Sequence, residues 1–80
     1  MGRAKPTRLR NRLRRLRFDA GEMTQAELAQ RLDVSRQTLI AIEQSKYSPS
    51  LEVAFKIAHI FGVGVEDVFQ FDPDQEEPSS

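Results

Sequence analysis

Arg3, Lys5, Arg8, Arg10, Arg12, Arg14, Arg15 and Arg17 all precede the first acid of the chain, Asp19. A run of guanidinium and ammonium groups with no carboxylate among them is suited above all to neutralising phosphates. The other end carries the balancing charge, with Asp72, Asp74, Glu76 and Glu77 crowded into the tail. The formal net charge of zero therefore hides a basic end fit for nucleic acid and an acidic end that is not. Catalytic chemistry has no such support. There is one histidine, His59, no cysteine, no Gly-rich phosphate loop and no cluster at metal-ligand spacing. The pairs Glu66-Asp67 and Glu76-Glu77 are adjacent rather than facing, and read as a helix start and a solvated tail. The chain is thus expected to be no enzyme and to use no cofactor or metal, with His59 partly exposed on a helix.

The elements that must position the basic side chains are legible in the middle of the chain. Thr24 precedes an apolar-periodic run and has Glu27 three residues on, the spacing of a capping box. Leu28, Ala29 and Leu32 then share a helical face. Ser35 opens a second run carrying Leu39 and Ile42. Only Asp33 and Val34 lie between, so the second helix must turn sharply against the first, and Ala29 is small enough to permit the crossing. Two helices joined so tightly form a helix-turn-helix, whose second helix typically enters the DNA major groove.

Around that pair the spacing predicts three more helices. Met1–Pro6 is expected to be a flexible arm, from which Arg3 and Lys5 could reach phosphates or a minor groove. Thr7 is expected to cap a helix running to about Asp19, with Leu9, Leu13 and Leu16 along one face. Arginines in its first turn oppose the helix dipole, a mismatch that phosphate contact, by Arg12 for one, would offset. Gly21 suits the positive φ that ends this helix, and Met23 suits a hydrophobic staple before Thr24. The run SKYSP, Ser45 to Pro49, is a loop. Ser50 caps a helix from Leu51 to about Phe61, whose Leu51, Ala54, Phe55, Ile57, Ala58 and Phe61 form a broad apolar face, and Gly62 stops it. The run VEDVFQF predicts a fifth helix with Glu66 and Asp67 in its first turn. Residues 72–80 are acidic, contain Pro and almost no apolar side chain, and are expected to be disordered.

The expected architecture is all-α, a five-helix bundle without strands over residues 7–71, between a basic arm (1–6) and an acidic tail (72–80). Its expected core is Leu13, Leu16, Met23, Leu28, Leu32, Val34, Leu39, Ile42, Leu51, Ile57, Phe61, Val63 and Val68. Eighty residues, 39% of them hydrophobic, suffice for one small domain. No apolar stretch approaches a membrane span and none resembles an export signal, so a cytoplasmic protein is expected.

From Asn11 to Phe71 the chain resembles the Xre/Cro/C1-type helix-turn-helix regulators, relatives of phage repressors. The resemblance is carried by TQAELA, VSRQTLIAIEQSKYSPSLEVAFKIAHIFGV and VEDVFQF in order. It implies a lambda-repressor-like fold in which the second helix crosses the DNA backbone and the third lies in the major groove. Gln25 matches a phosphate-contacting position, and Arg36 and Gln37 match positions that read base edges. Their chemistry agrees, since Arg pairs with O6 and N7 of guanine and Gln with N6 and N7 of adenine. Ala41 aligns with a further base-reading position but offers only apolar contact, for instance to a thymine methyl. Lys46 and Tyr47 match a second phosphate clamp, and the hydroxyls of Ser35 and Thr38 suit phosphates. Arg17 and Glu43 align with an ion pair that ties the first helix to the third. Two departures stand out. Asp33 replaces a glycine often found in the turn, and Gln44-Ser45 replaces the common Asn-Gly after the third helix.

The function these residues imply is a sequence-specific regulator bound to double-stranded DNA, a repressor acting as a homodimer because one domain makes few base contacts. Phe69 and Phe71 are the expected partner surface. No small-molecule effector site is evident. The alternative is a protein-interaction module, an antitoxin or adaptor that keeps the fold.

Overall fold

A computed structural model describes residues 7–73, so the expectations for the basic arm and for residues 74–80 fall outside the described part. The order is β1 (Leu9–Asn11), α1 (Leu13–Asp19), α2 (Gln25–Leu32), α3 (Arg36–Glu43), α4 (Leu51–Phe61), α5 (Val65–Val68) and β2 (Phe69–Phe71). The domain is mostly helical, and its five helices fall where the sequence places them, but two boundaries and one element differ.

The difference is a ribbon. β1 and β2 pair antiparallel, with Leu9 opposite Phe71, Arg10 opposite Gln70 and Asn11 opposite Phe69. The first helix therefore starts at Leu13, not after Thr7, and the fifth ends at Val68, not Phe71. Phe69 already has extended geometry, φ −121° and ψ 137°. Three-residue strands are too short to show a period of two, and backbone pairing between the two ends of the chain overrides the helical spacing of Leu9, Leu13 and Leu16. Thr7 does not cap a helix. Its Oγ1 accepts from the N–H of Leu9 at 3.2 Å and from the Ser48 hydroxyl at 2.8 Å. Asp72, the first residue of the expected disordered tail, is held by its N–H donating to the carbonyl of Arg8 and by its carboxylate, 3.2 Å from the Arg10 guanidinium.

The helix starts follow local chemistry. The hydroxyls of Thr24, Ser35 and Ser50 each accept a bond from the N–H three residues on, and the Glu27 carboxylate accepts one in return from the N–H of Thr24 at 3.1 Å. Each such cap is worth about 1 kcal/mol. Asp67 does the same for the N–H of Gly64 at 3.0 Å. The ends need left-handed residues. Gly62 (φ 68°) ends α4, and Asp33 (φ 61°) ends α2 in place of a glycine. Beyond α1 the turn takes Gly21 (φ 83°) and Glu22 (φ 59°).

The core gathers Leu13, Met23, Leu28, Ala29, Leu32, Leu39, Ile42, Ala54, Ile57, Ala58, Val68 and Phe69. Leu16, Val34, Phe61 and Val63 pack against it half-buried. Leu51 was expected inside and is 72% exposed, with Phe55 on the same helix at 58%. The apolar face of α4 is wider than its neighbours cover, and Ala54, Ile57 and Ala58 are the residues turned inward. Among the described residues no helix is long and apolar enough to cross a membrane.

Candidate nucleic-acid interface

α3 is anchored from three sides. The Arg17 guanidinium donates from Nε to Glu43 Oε2 at 2.8 Å and from Nη2 to Oε1 at 3.0 Å, and its Nη1 holds the carbonyl of Met23 at 2.9 Å. Both side chains of the pair are largely buried, which makes the fork geometry worth more than a surface ion pair. The amide of Gln25 adds a third bond to Glu43 at 3.2 Å. From β1, Asn11 donates to the carbonyls of Ile42 and Glu43 at 3.1 and 3.3 Å. Those are groups that a helix C-terminus leaves unsatisfied. The same Asn11 accepts from the N–H of Leu13 with its Oδ1, just ahead of α1, whose N-cap Arg12 makes no side-chain capping bond. The pairing of Arg17 with Glu43 agrees with the sequence. The contribution of Asn11 is missed there, because an assumed helix from Thr7 hides it.

With its C-terminus anchored, α3 presents its first turn to solvent. Arg36 and Gln37 are exposed and neither makes a hydrogen bond or ion pair among the described residues. Ala41 and Thr38 are half-buried on the same short helix. Ser35 is used twice: its Oγ accepts from the N–H of Thr38 at 3.0 Å and donates to Thr38 Oγ1 at 2.9 Å. The chain then leaves α3 through Ser45, at φ 60°. Ser45 donates its hydroxyl to the carbonyl of Leu9 at 3.0 Å, and the N–H of Lys46 reaches the carbonyl of Ala41 at 2.9 Å. The loop holds its shape without Asn-Gly, and leaves Lys46 and Tyr47 exposed.

An open groove of about 1030 Å³ runs beside α3, lined among others by Arg14, Phe18, Gln25, Arg36, Glu43 and Gln44. Arg14 and Arg36 thus edge one groove from α1 and α3, and neither has an ion-pair partner among the described residues. The other arginines of this end divide differently. Arg10, Arg15 and Arg17 are paired with Asp72, Asp19 and Glu43, while Arg12 is exposed beside the start of α1. Arg14 was not singled out from the sequence, where it is one of several equivalent arginines; its place one turn before Arg17 is the signal that sets it toward α3. Of the two aromatics expected to form a partner surface, only Phe71, 64% exposed, faces solvent. The ring of Phe69 is 8% exposed and belongs to the protein's own core, because the chain turns from helix to strand at that residue.

Comparison with known proteins bears on this surface. A family model described as helix-turn-helix matches residues 13–68. An uncharacterized HTH-type transcriptional regulator of Methanocaldococcus jannaschii is 58% identical over 53 residues, covering 66% of this chain and 80% of that protein. One of Archaeoglobus fulgidus is 45% identical over 67 residues, 84% of this chain and 94% of its own length. The Bacillus subtilis regulator YgzD is 41% identical over 61 residues, 76% and 91% of the two chains.

Proposed function

The chain belongs to the Xre/Cro/C1-type helix-turn-helix family of transcriptional regulators, and from that premise we propose that it is a sequence-specific double-stranded DNA-binding repressor. In this reading the fold is lambda-repressor-like, α3 lies in the major groove, and Arg36 and Gln37 read base edges, with Ala41 against a thymine methyl. Backbone contacts come from Gln25, Ser35, Thr38, Lys46 and Tyr47, and from Arg3, Lys5 and Arg12 at the basic end. One N–H of the Gln25 side-chain amide already serves Glu43, so its phosphate contact uses the second amide N–H or the main-chain N–H. Two copies bind as a homodimer in the cytoplasm with no small-molecule effector, and of the two aromatics expected at their contact only Phe71 is exposed enough to serve. The observation that carries the reading is the unpartnered, exposed pair Arg36 and Gln37 on a helix whose far end is pinned by Arg17, Gln25 and Asn11.

The test is selection of bound sequences from random duplex DNA at fixed salt, since affinity without a stated salt concentration has no meaning. Enrichment of a two-fold symmetric site with half-sites about 10 base pairs apart is the expected result. Binding that never rises above the non-specific level would refute this reading and favour an antitoxin or adaptor that keeps the fold.

A further inference from the structure

α4 presents a second face that DNA recognition does not use. Leu51 and Phe55, 72% and 58% exposed, lie one helical turn apart and therefore on one side of the helix. Each is followed by an exposed charge, Glu52 after Leu51 and Lys56 after Phe55. Glu followed four residues later by Lys is the favoured arrangement for a pair within a helix. Yet neither side chain has an ion-pair partner among the described residues.

We propose that this face of α4 binds a second copy of the chain, with the two α4 helices antiparallel across a two-fold axis. The charge order decides the occupant. Turned antiparallel, the acidic end of one stripe meets the basic end of the other, so Glu52 faces Lys56 of the second copy twice over, with Leu51 and Phe55 between them. A parallel two-fold arrangement leaves the two charged stripes on opposite flanks of the seam, where they do not meet, and a strongly acidic or basic partner such as DNA meets as much repulsion as attraction. The face is self-complementary, as a two-fold contact requires. It is also small. An eleven-residue helix is about 16 Å long, well short of the span of a standard interface. Pairing of the free protein is accordingly weak, and adjacent half-sites strengthen it by raising the local concentration. The inference rests on the homodimer within the proposed function, puts its contact on α4 rather than at Phe71, and does not depend on the identity of the DNA-reading residues.

Sedimentation of the full chain across the micromolar range, with the variants Glu52→Lys and Lys56→Glu, tests it. The wild type is expected to show a concentration-dependent dimer, and each single variant to pair at least about tenfold more weakly, since like charges then oppose across the axis. An equimolar mixture of the two variants restores pairing, because a face with two lysines meets one with two glutamates; a change confined to one helix could not produce that. A wild type that stays monomeric, single variants that pair as well as the wild type, or a mixture that stays apart would each overturn the proposal. Circular dichroism verifies that the variants are folded. Their binding to a single half-site separates the outcomes: unchanged half-site affinity leaves the DNA-binding reading standing even where the α4 contact fails.

Discussion

Arg17 and Glu43 lie 26 residues apart in sequence and are joined by two parallel hydrogen bonds, 2.8 and 3.0 Å long. Through them the first helix sets the position of the third. The pair is mostly withdrawn from water, so neither charge can be left alone cheaply. Arg17→Ala is expected to cost about 3 kcal/mol of stability, measured by denaturant unfolding followed by circular dichroism. Arg17→Lys recovers only part of it, because an ammonium cannot reproduce the fork. The double variant Arg17→Met with Glu43→Leu is expected to lose less than either single truncation, since it leaves no uncompensated charge.

Arg36→Ala should leave the fold intact, since the side chain is exposed and unpaired. As a base reader it is expected to lose about 1–3 kcal/mol of affinity for the selected site and to relax preference at one position. Competition binding against single-base variants of the site measures both.

Arg14 sits on the same groove but on the α1 side, and its expected signature is different. Arg14→Ala should weaken binding to all sequences alike and lower the slope of log affinity against log salt by about 1. A salt titration on specific and on random duplexes distinguishes a phosphate contact from a base contact.

The left-handed residues give a stability test. Asp33, exposed at φ 61°, makes no side-chain hydrogen bond among the described residues, so Asp33→Gly removes backbone strain and little else. It is expected to stabilise by about 0.5–1 kcal/mol in thermal or denaturant unfolding. Ser45 has the same φ, 60°, but its hydroxyl holds the carbonyl of Leu9. Relief of strain and loss of that bond are each about 1 kcal/mol, so Ser45→Gly should change stability by less than Asp33→Gly.

The two aromatics of β2 should separate cleanly. Phe69→Ala empties a core position and is expected to cost about 3–5 kcal/mol of folding stability. Phe71→Ala, at a site 64% exposed, should cost under about 1 kcal/mol of stability. Unfolding of the two variants side by side checks the contrast.

What the residues revealed in advance, and what they did not, divides by range. The caps at Thr24, Ser35 and Ser50 and the stop at Gly62 act within a few positions, and their residue types specify them. The largely buried Arg17–Glu43 brace is invisible to periodicity and is legible through family resemblance alone. The ribbon escaped because each strand has three residues and its partner lies at the far end of the chain. Leu51 and Phe55 misled for another reason. An apolar residue on a helix announces that something covers it, without saying whether the cover comes from the same chain. Arg14 was hidden by abundance, since only the fold separates the arginines with carboxylate partners from those without.

The ribbon also has a kinetic meaning. Joining Leu9 to Phe71 closes the longest loop in the domain, whereas the capped turns of α2, α3 and α4 form among near neighbours. The strand pairing is thus expected to form after those local turns, an order that amide hydrogen exchange during refolding would read. When β1 lifts away, it takes Asn11 from the carbonyls of Ile42 and Glu43 and loosens the far end of α3. One of the three anchors of α3 is therefore held at the edge of the molecule, by the pairing of three residues at one end of the domain with three at the other.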